Sequence, residues 1–259
     1  MKYYIFTVPK AGTYLLAKAL NFLGIKDSGY HVEIFGYLDT NKLSFKENVE
    51  TPEKARENIP FVNVLQNLPE NSLCFGHLSP LFFPSPILKQ YSIVMSIRKP
   101  KEVLTSEFVD FRFRRKDVPF VSKENCPNDR EAFLLYLKRA IPIQEQIFGN
   151  YFEFKSRLCD FFYRKDLPNP VIEIYFNDFI DEVKGPIYLE KMVDLFNIDS
   201  IPKDTLKNLH EEILTANNKT KSTGLVDIDR KSFWGSEAEA LYKSSMLPYF
   251  ELFVKEAKM

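Results

Sequence analysis

TVPKAGTYLLAKALNFLG, Thr7 to Gly24, is the stretch on which the fold turns. The apolar run Tyr3–Val8 leads into it and reads as a strand; Pro9-Lys10-Ala11-Gly12 is a short turn. From Thr13 the apolar residues Leu16, Ala19, Leu20 and Leu23 recur on one helical face, and Gly24 stops the helix. Strand, small-residue turn and helix place unpaired N–H groups and a partial positive charge at the loop, an arrangement suited to an anion. Gly12 permits close backbone approach, Thr13 adds a hydroxyl and Lys10 a mobile charge. The loop is shorter than a Walker loop, which ends in Lys-Ser or Lys-Thr and positions Mg²⁺. It suits a terminal phosphate or phosphosulfate better than a triphosphate with its metal.

Outward from this stretch, strand-like and helix-like segments alternate, the pattern of a parallel sheet covered by helices. Strands are expected at 2–8, 72–77, 91–97 and 170–176. Helices are expected at 13–23, from Pro100 to about Arg115, at 129–148, 150–164, 184–197 and 203–216, and from Ser236 to Lys258. Residues 28–70 read as irregular, with short helices, and 217–235 as a polar loop. No repeat or linker composition divides the chain, so the expectation is an α/β fold in a single domain over 1–259. Its central parallel sheet has four or five strands, with helices on both faces.

The chain has 259 residues, with 35 Lys plus Arg against 35 Asp plus Glu. A balanced charge gives no general attraction to nucleic acid or anionic membranes, so an anion site has to be built locally. Cys74, Cys126 and Cys159 are far apart and form no Cys-x-x-Cys pair; no disulfide framework or zinc site is encoded, and a reducing cytoplasm is the expected location. No stretch approaches the length of apolar residues that spans a bilayer, and the N-terminus lacks signal-peptide character. The 24 Phe and 13 Tyr supply core packing, and some are candidates to line an apolar pocket.

A second anion motif lies in YSIVMSIRKPKEVLTSEF, Tyr91 to Phe108. A buried strand ends at Arg98, Pro100 begins a helix, and Ser106 follows on it. Ligands of open parallel sheets sit beyond the carboxyl ends of the strands, so Arg98 and the Lys10 loop are expected to face one cleft, within about 20 Å of each other. Two anion sites suit a nucleotide phosphorylated at both ends. FRFRRKD, Phe111 to Asp117, is either a solvated helix end or a basic rim for an anionic ligand.

These residues resemble the sulfotransferases that use 3′-phosphoadenosine-5′-phosphosulfate (PAPS). Val8-Pro9-Lys10-Ala11-Gly12-Thr13-Tyr14 is similar to their Tyr-Pro-Lys-Ser-Gly-Thr-Thr loop for the 5′-phosphosulfate. Arg98-Lys99-Pro100-Lys101-Glu102-Val103 with Ser106 is similar to their 3′-phosphate motif Arg-Asn-Pro-Lys-Asp-Val and its following serine. Between the two, Gly76-His77-Leu78-Ser79-Pro80 resembles the segment carrying the family's catalytic histidine. The resemblance implies a P-loop-NTPase-like sulfotransferase fold, with His77 as general base and Lys10 as the second catalytic group. Lys10, Ala11, Gly12, Thr13, Tyr14, Arg98 and Ser106 would hold PAPS, leaving adenosine 3′,5′-bisphosphate (PAP) as product and using no metal. The acceptor is expected to be a small molecule, aromatic or apolar, presenting a hydroxyl or amine; nucleic acid is not an expected partner.

The chain also departs from the pattern. Phe75 stands where cytosolic members carry a lysine two residues before the histidine. The family's Arg-Lys-Gly-x-x-Gly-Asp-Trp closing loop is represented by Ser222-Thr223-Gly224 and the residues after it, with Lys219 and Lys221 the nearby cations. Lys221, Thr223 and Gly224 are the expected phosphate contacts there, with fewer charge-assisted bonds than the family's arginine and lysine provide. Tyr175-Phe176-Asn177-Asp178-Phe179 resembles a scaffold segment at a strand end. The imidazole of His77 is expected near its ordinary pKa, with activity falling below about pH 6. Should His77 not be the base, His31, Glu33 and Asp39 are the first replacements. Two other readings stand beside this one: a non-catalytic nucleotide-binding or scaffolding protein of the same fold, and a P-loop small-molecule kinase.

Overall fold

The computed structural model describes residues 1–164, 169–215 and 228–256, with side chains described through 158 in the first segment and through 254 in the last. In chain order the elements are β1 (Lys2–Thr7), α1 (Thr13–Phe22), β2 (Lys26–Glu33), β3 (Gly36–Asp39), α2 (Phe45–Glu50), β4 (Arg56–Glu57), α3 (Phe61–Asn67), β5 (Ser72–Gly76), α4 (Ser85–Leu88) and β6 (Tyr91–Ile97). There follow α5 (Pro100–Phe113), α6 (Asp129–Arg164), β7 (Val171–Tyr175), α7 (Phe176–Phe179), α8 (Lys184–Leu195), α9 (Lys203–Thr215), α10 (Ser236–Lys243) and α11 (Leu247–Glu256).

Seven strands form one sheet in the order β4-β3-β2-β5-β1-β6-β7. The five strands from β2 to β7 in that order are parallel, while β3 and β4 add an antiparallel edge. β1 is central, and all six of its residues are buried. Its alternation feeds two cores: Tyr4 and Phe6 pack with Phe108, Phe133, Phe148 and Tyr151 of α5 and α6. Tyr3 and Ile5 pack with Leu16 and Leu20 of α1 and with Leu189 and Met192 of α8 on the other face. Helices thus cover both faces of a largely parallel sheet, the expected fold class.

Several boundaries differ from expectation. The segment 28–70 holds strands β2, β3 and β4 as well as short helices. An Asx turn, Gly29 N–H to Asp27 Oδ1 at 2.7 Å, and a register shift between Asp27 and His31 interrupt the alternation that would have marked β2. α6 runs unbroken through Gly149, where the sequence pattern places a helix stop, and carries Pro142 inside it. The expected C-terminal helix is two: Ser245 Oγ accepts from Leu247 N–H at 3.2 Å and starts α11 after a break.

Candidate functional site

β5, β1 and β6 lie side by side and end at one edge of the sheet, so the three motifs that follow them meet there. His77 follows β5, the Lys10 loop follows β1 and Arg98 follows β6. The Arg98 Nη1 donates to the Lys10 carbonyl at 3.2 Å, far inside the 20 Å reach of one nucleotide. Ser96 Oγ donates to the Ala11 carbonyl at 2.7 Å and ties the loop to β6 from below.

The loop's shape comes from two left-handed residues, Lys10 at φ 58° and Gly12 at φ 88°. Gly12 sits at the start of α1, which has no side-chain cap, so the helix end is left for a ligand oxygen. A Cβ on Gly12 would lie 2.7 Å from the Phe176 ring. That ring also supports Arg98, whose guanidinium carbon lies 4.7 Å from its centroid. Phe176, which the sequence marks only as scaffold, is therefore the wedge between the Lys10 loop and Arg98. Thr13 is buried, and its hydroxyl shares a 2.6 Å hydrogen bond with Thr7. Tyr14 packs edge-on against Phe75 at 5.2 Å.

His77 has a defined tautomer. Its Nδ1 lies 2.9 Å from the Thr7 carbonyl, which can only accept, so Nδ1 carries the proton. The Nε2 lone pair is then the one available to a substrate, as a general base requires. Thr7 Oγ1 lies 3.2 Å from the same Nδ1, completing a chain from Thr13 through Thr7 to His77. The sequence carried no signal for Thr7, because its part is set by the pairing of strands around it. Burial, reinforced by the neighbouring His31, pushes the His77 pKa down to about 3. The expectation of an ordinary imidazole is thus corrected: desolvation disfavours the charged ring far more strongly than an exposed site would.

The cations of the site are already paired. Lys10 Nζ lies 3.3 Å from Asp110 Oδ2, and burial holds the ammonium below its usual pKa although Asp110 opposes this. Arg98 Nε donates to Glu102 at 3.0 Å, and Asn177 Nδ2 lies 3.3 Å from the same carboxylate oxygen. Glu102, Ser106 and Asp110 recur every four residues along α5, so half-buried Ser106 stands on one stripe between the partner of Arg98 and the partner of Lys10. Glu107 lies behind them; it accepts from Tyr136 at 2.7 Å and Gln144 at 3.1 Å, and burial raises its pKa.

FRFRRKD is neither a bare solvated end nor an open basic rim. Arg112 is buried against Asp129 and the carbonyls of Val121, Cys126 and Pro127. Arg114 pairs with Asp110, Arg115 with Asp117 and Glu53, and Lys116 with Glu50. Lys221, Thr223 and Gly224 lie outside the described residues, as do Lys219 and Ser222. Downstream of them Trp234 Nε1 donates to Thr105 Oγ1 at 2.9 Å, next to Ser106, and Lys101 lies 4.5 Å from the Trp234 ring. Of the other acids considered, Glu33 is bound to Arg56, and Asp39 accepts from Asn41 N–H at the turn Thr40–Lys42. Among the described residues no group of three or more His, Cys, Asp or Glu could hold a metal ion. No helix among them is long and apolar enough to cross a membrane.

No protein-family model matches the sequence, and no curated protein matches it. Solved structures do. The crystal structure of mouse sulfotransferase SULT7A1 complexed with PAP matches over 99% of this chain and 89% of its own, at 15% identity and a TM-score of 0.58. Retinol dehydratase with androsterone and the inactive cofactor PAP matches over 95% of this chain and 80% of its own, at 14% identity and a TM-score of 0.55. Its complex with retinol and PAP gives the same TM-score of 0.55 at 14% identity, over 95% of this chain and 81% of its own. The chain has the fold of the PAPS-dependent sulfotransferases.

Proposed function

We propose that the chain transfers a sulfuryl group from PAPS to a hydroxyl or amine of a small acceptor. The observation that carries this reading is the junction of the three strand ends. His77, with its Nε2 lone pair left for a substrate, stands beside a helix N-terminus whose loop is tied to Arg98. In the proposed reaction the acceptor O–H or N–H gives its proton to Nε2 of His77. The acceptor atom forms a bond to sulfur as the bond from sulfur to the bridging oxygen breaks, and PAP leaves. Lys10 and the N-terminus of α1 stabilise the charge that grows on the bridging oxygen, as in an oxyanion hole. Arg98 and Ser106 hold the 3′-phosphate, which distinguishes this donor from ATP, and Lys221, Thr223 and Gly224 complete its enclosure. The rest is positioning, which sulfuryl transfer shares with phosphoryl transfer. No step draws on a metal. Hydroxylated apolar compounds, such as the androsterone and retinol found with retinol dehydratase, are the first acceptor class to test.

A second reading, a nucleotide-binding protein without catalysis, is favoured by the pairing of Lys10 with Asp110 and of Arg98 with Glu102. Calorimetric titration with PAP, followed by transfer of labelled sulfate from PAPS to phenols, sterols, glycolipids and sugars, separates the two. Binding with transfer supports the enzyme; binding with no transfer to any of the panel supports the second reading. Absence of binding removes both.

A further inference from the structure

We infer that His31 is a second imidazole of the acceptor site and binds the same hydroxyl that His77 deprotonates. The inference rests on the sulfotransferase reading for the identity of that hydroxyl. β2 runs parallel to β5 with His31 opposite Phe75, so His31 and Phe75 point to one face of the sheet. Their rings lie 5.6 Å apart, and the ring of His31 lies 5.0 Å from that of His77 at 81°. Nδ1 of His31 is buried with no hydrogen-bond partner. The contrast is His210, a fully buried histidine, whose Nε2 lies 2.7 Å from the Phe179 carbonyl. A purely packing role beside Phe75 needs a flat ring and no nitrogen; a buried nitrogen left bare is a cost that a ligand can remove.

The chemistry narrows the ligand. Burial holds His31 down to about 4, with nearby Arg56 acting in the same direction, so the ring is neutral. A neutral imidazole offers one N–H and one lone pair. A hydroxyl complements either, since it both donates and accepts; an ammonium or a carboxylate complements only one. With Nδ1 protonated on His31, the acceptor oxygen takes that hydrogen bond while giving its own proton to Nε2 of His77. One lone pair then remains for sulfur. β2 continues directly into Ile34 and Phe35, which are 49% and 82% exposed at the same end of the sheet as His77. The site therefore favours a neutral hydroxyl on an apolar or aromatic body, and phenol is the minimal probe.

The chain has three histidines, so ¹⁵N-histidine spectra are assignable by single variants. Phenol titrated into the PAP-bound protein is expected to move the resonances of His31 and His77 with one common midpoint. His31→Phe, which keeps the ring and loses the nitrogens, is expected to weaken phenol binding roughly tenfold, the value of one hydrogen bond, with PAP affinity unchanged. His31→Asn, which keeps a donor and an acceptor, is expected to restore most of it. Unmoved His31 resonances, or phenol binding to His31→Phe as to the wild type, would overturn the inference. The spectra of the unaltered protein decide the matter even if a variant fails to fold. Failure to bind PAP would instead remove the sulfotransferase reading, and the phenol titration repeated without PAP would still decide on His31.

Discussion

A single hydrogen bond, from His77 Nδ1–H to the Thr7 carbonyl, fixes which nitrogen of the site can take a proton. Burial then sets when it can do so. kcat/KM reports the free enzyme's ionisations, so its acid limb is expected well below pH 6, toward the depressed pKa of about 3, down to the pH where the fold fails. A limb centred near pH 6.5 would show an exposed, ordinary imidazole. The same burial links stability to pH. Between the unfolded imidazole value near 6.5 and the folded values of about 4 for His31 and about 3 for His77, the unfolded chain binds protons that the folded chain refuses. Stability contributed by the neutral rings is complete above about pH 6.5 and is lost as pH falls through that window. Thermal melts of the His31→Phe and His77→Phe proteins are expected to show a shallower decline with acid than the wild type. Arg98 makes the other residue-scale claim. Arg98→Ala is expected to weaken PAP by about 1.5–3 kcal/mol, the value of hydrogen bonds to a charged group, and adenosine 5′-monophosphate much less. Equal losses by calorimetry would mean that Arg98 does not read the 3′-phosphate.

At the scale of elements, α5 carries the carboxylates that occupy the site's cations. Asp110 holds Lys10 and Arg114 together. Asp110→Asn is expected to tighten PAP binding by about 1 kcal/mol, the upper range for a partly exposed pair, and to lower the melting temperature because two cations lose a partner. Unchanged or weaker binding would show that Lys10 does not reach the donor. The loop before α1 is equally constrained. Gly12→Ala places a Cβ at a left-handed φ of 88° and against the Phe176 ring, so a loss of at least about 1–2 kcal/mol in unfolding free energy is expected by chemical denaturation. Elements were legible where pattern and burial agree. The apolar run of β6 gives its bounds, 91–97, without error. β2 and β3 were not legible, because they lie near the sheet edge, half exposed, and the turn at Asp27–Gly29 breaks their period. The Gly149 stop was misleading because α6 is held by its buried face, Tyr151, Phe154 and Phe148 among it, rather than by local propensity.

At the scale of the molecule, the parallel order β2-β5-β1-β6-β7 brings loops distant in sequence to one edge, and the shared cleft of the Lys10 loop and Arg98 is the part of this that motifs alone convey. Lys10, Gly12, Thr13, Arg98 and Ser106 could be named from residue type and spacing. The parts of Thr7 and Phe176 could not, and His31 could be named only as a replacement base, since their parts depend on which strands are neighbours and on what lies within 5 or 6 Å across the sheet. The three strand ends make one claim together, that donor recognition and proton removal are separate tasks of one cleft. Transfer of labelled sulfate from PAPS by wild type and His77→Ala, each first titrated with PAP, tests it most directly. The account predicts equal PAP affinity and a fall in transfer of about 10²–10⁴-fold, the usual contribution of a positioned base. A folded His77→Ala protein that binds PAP and transfers sulfate at the wild-type rate would contradict it.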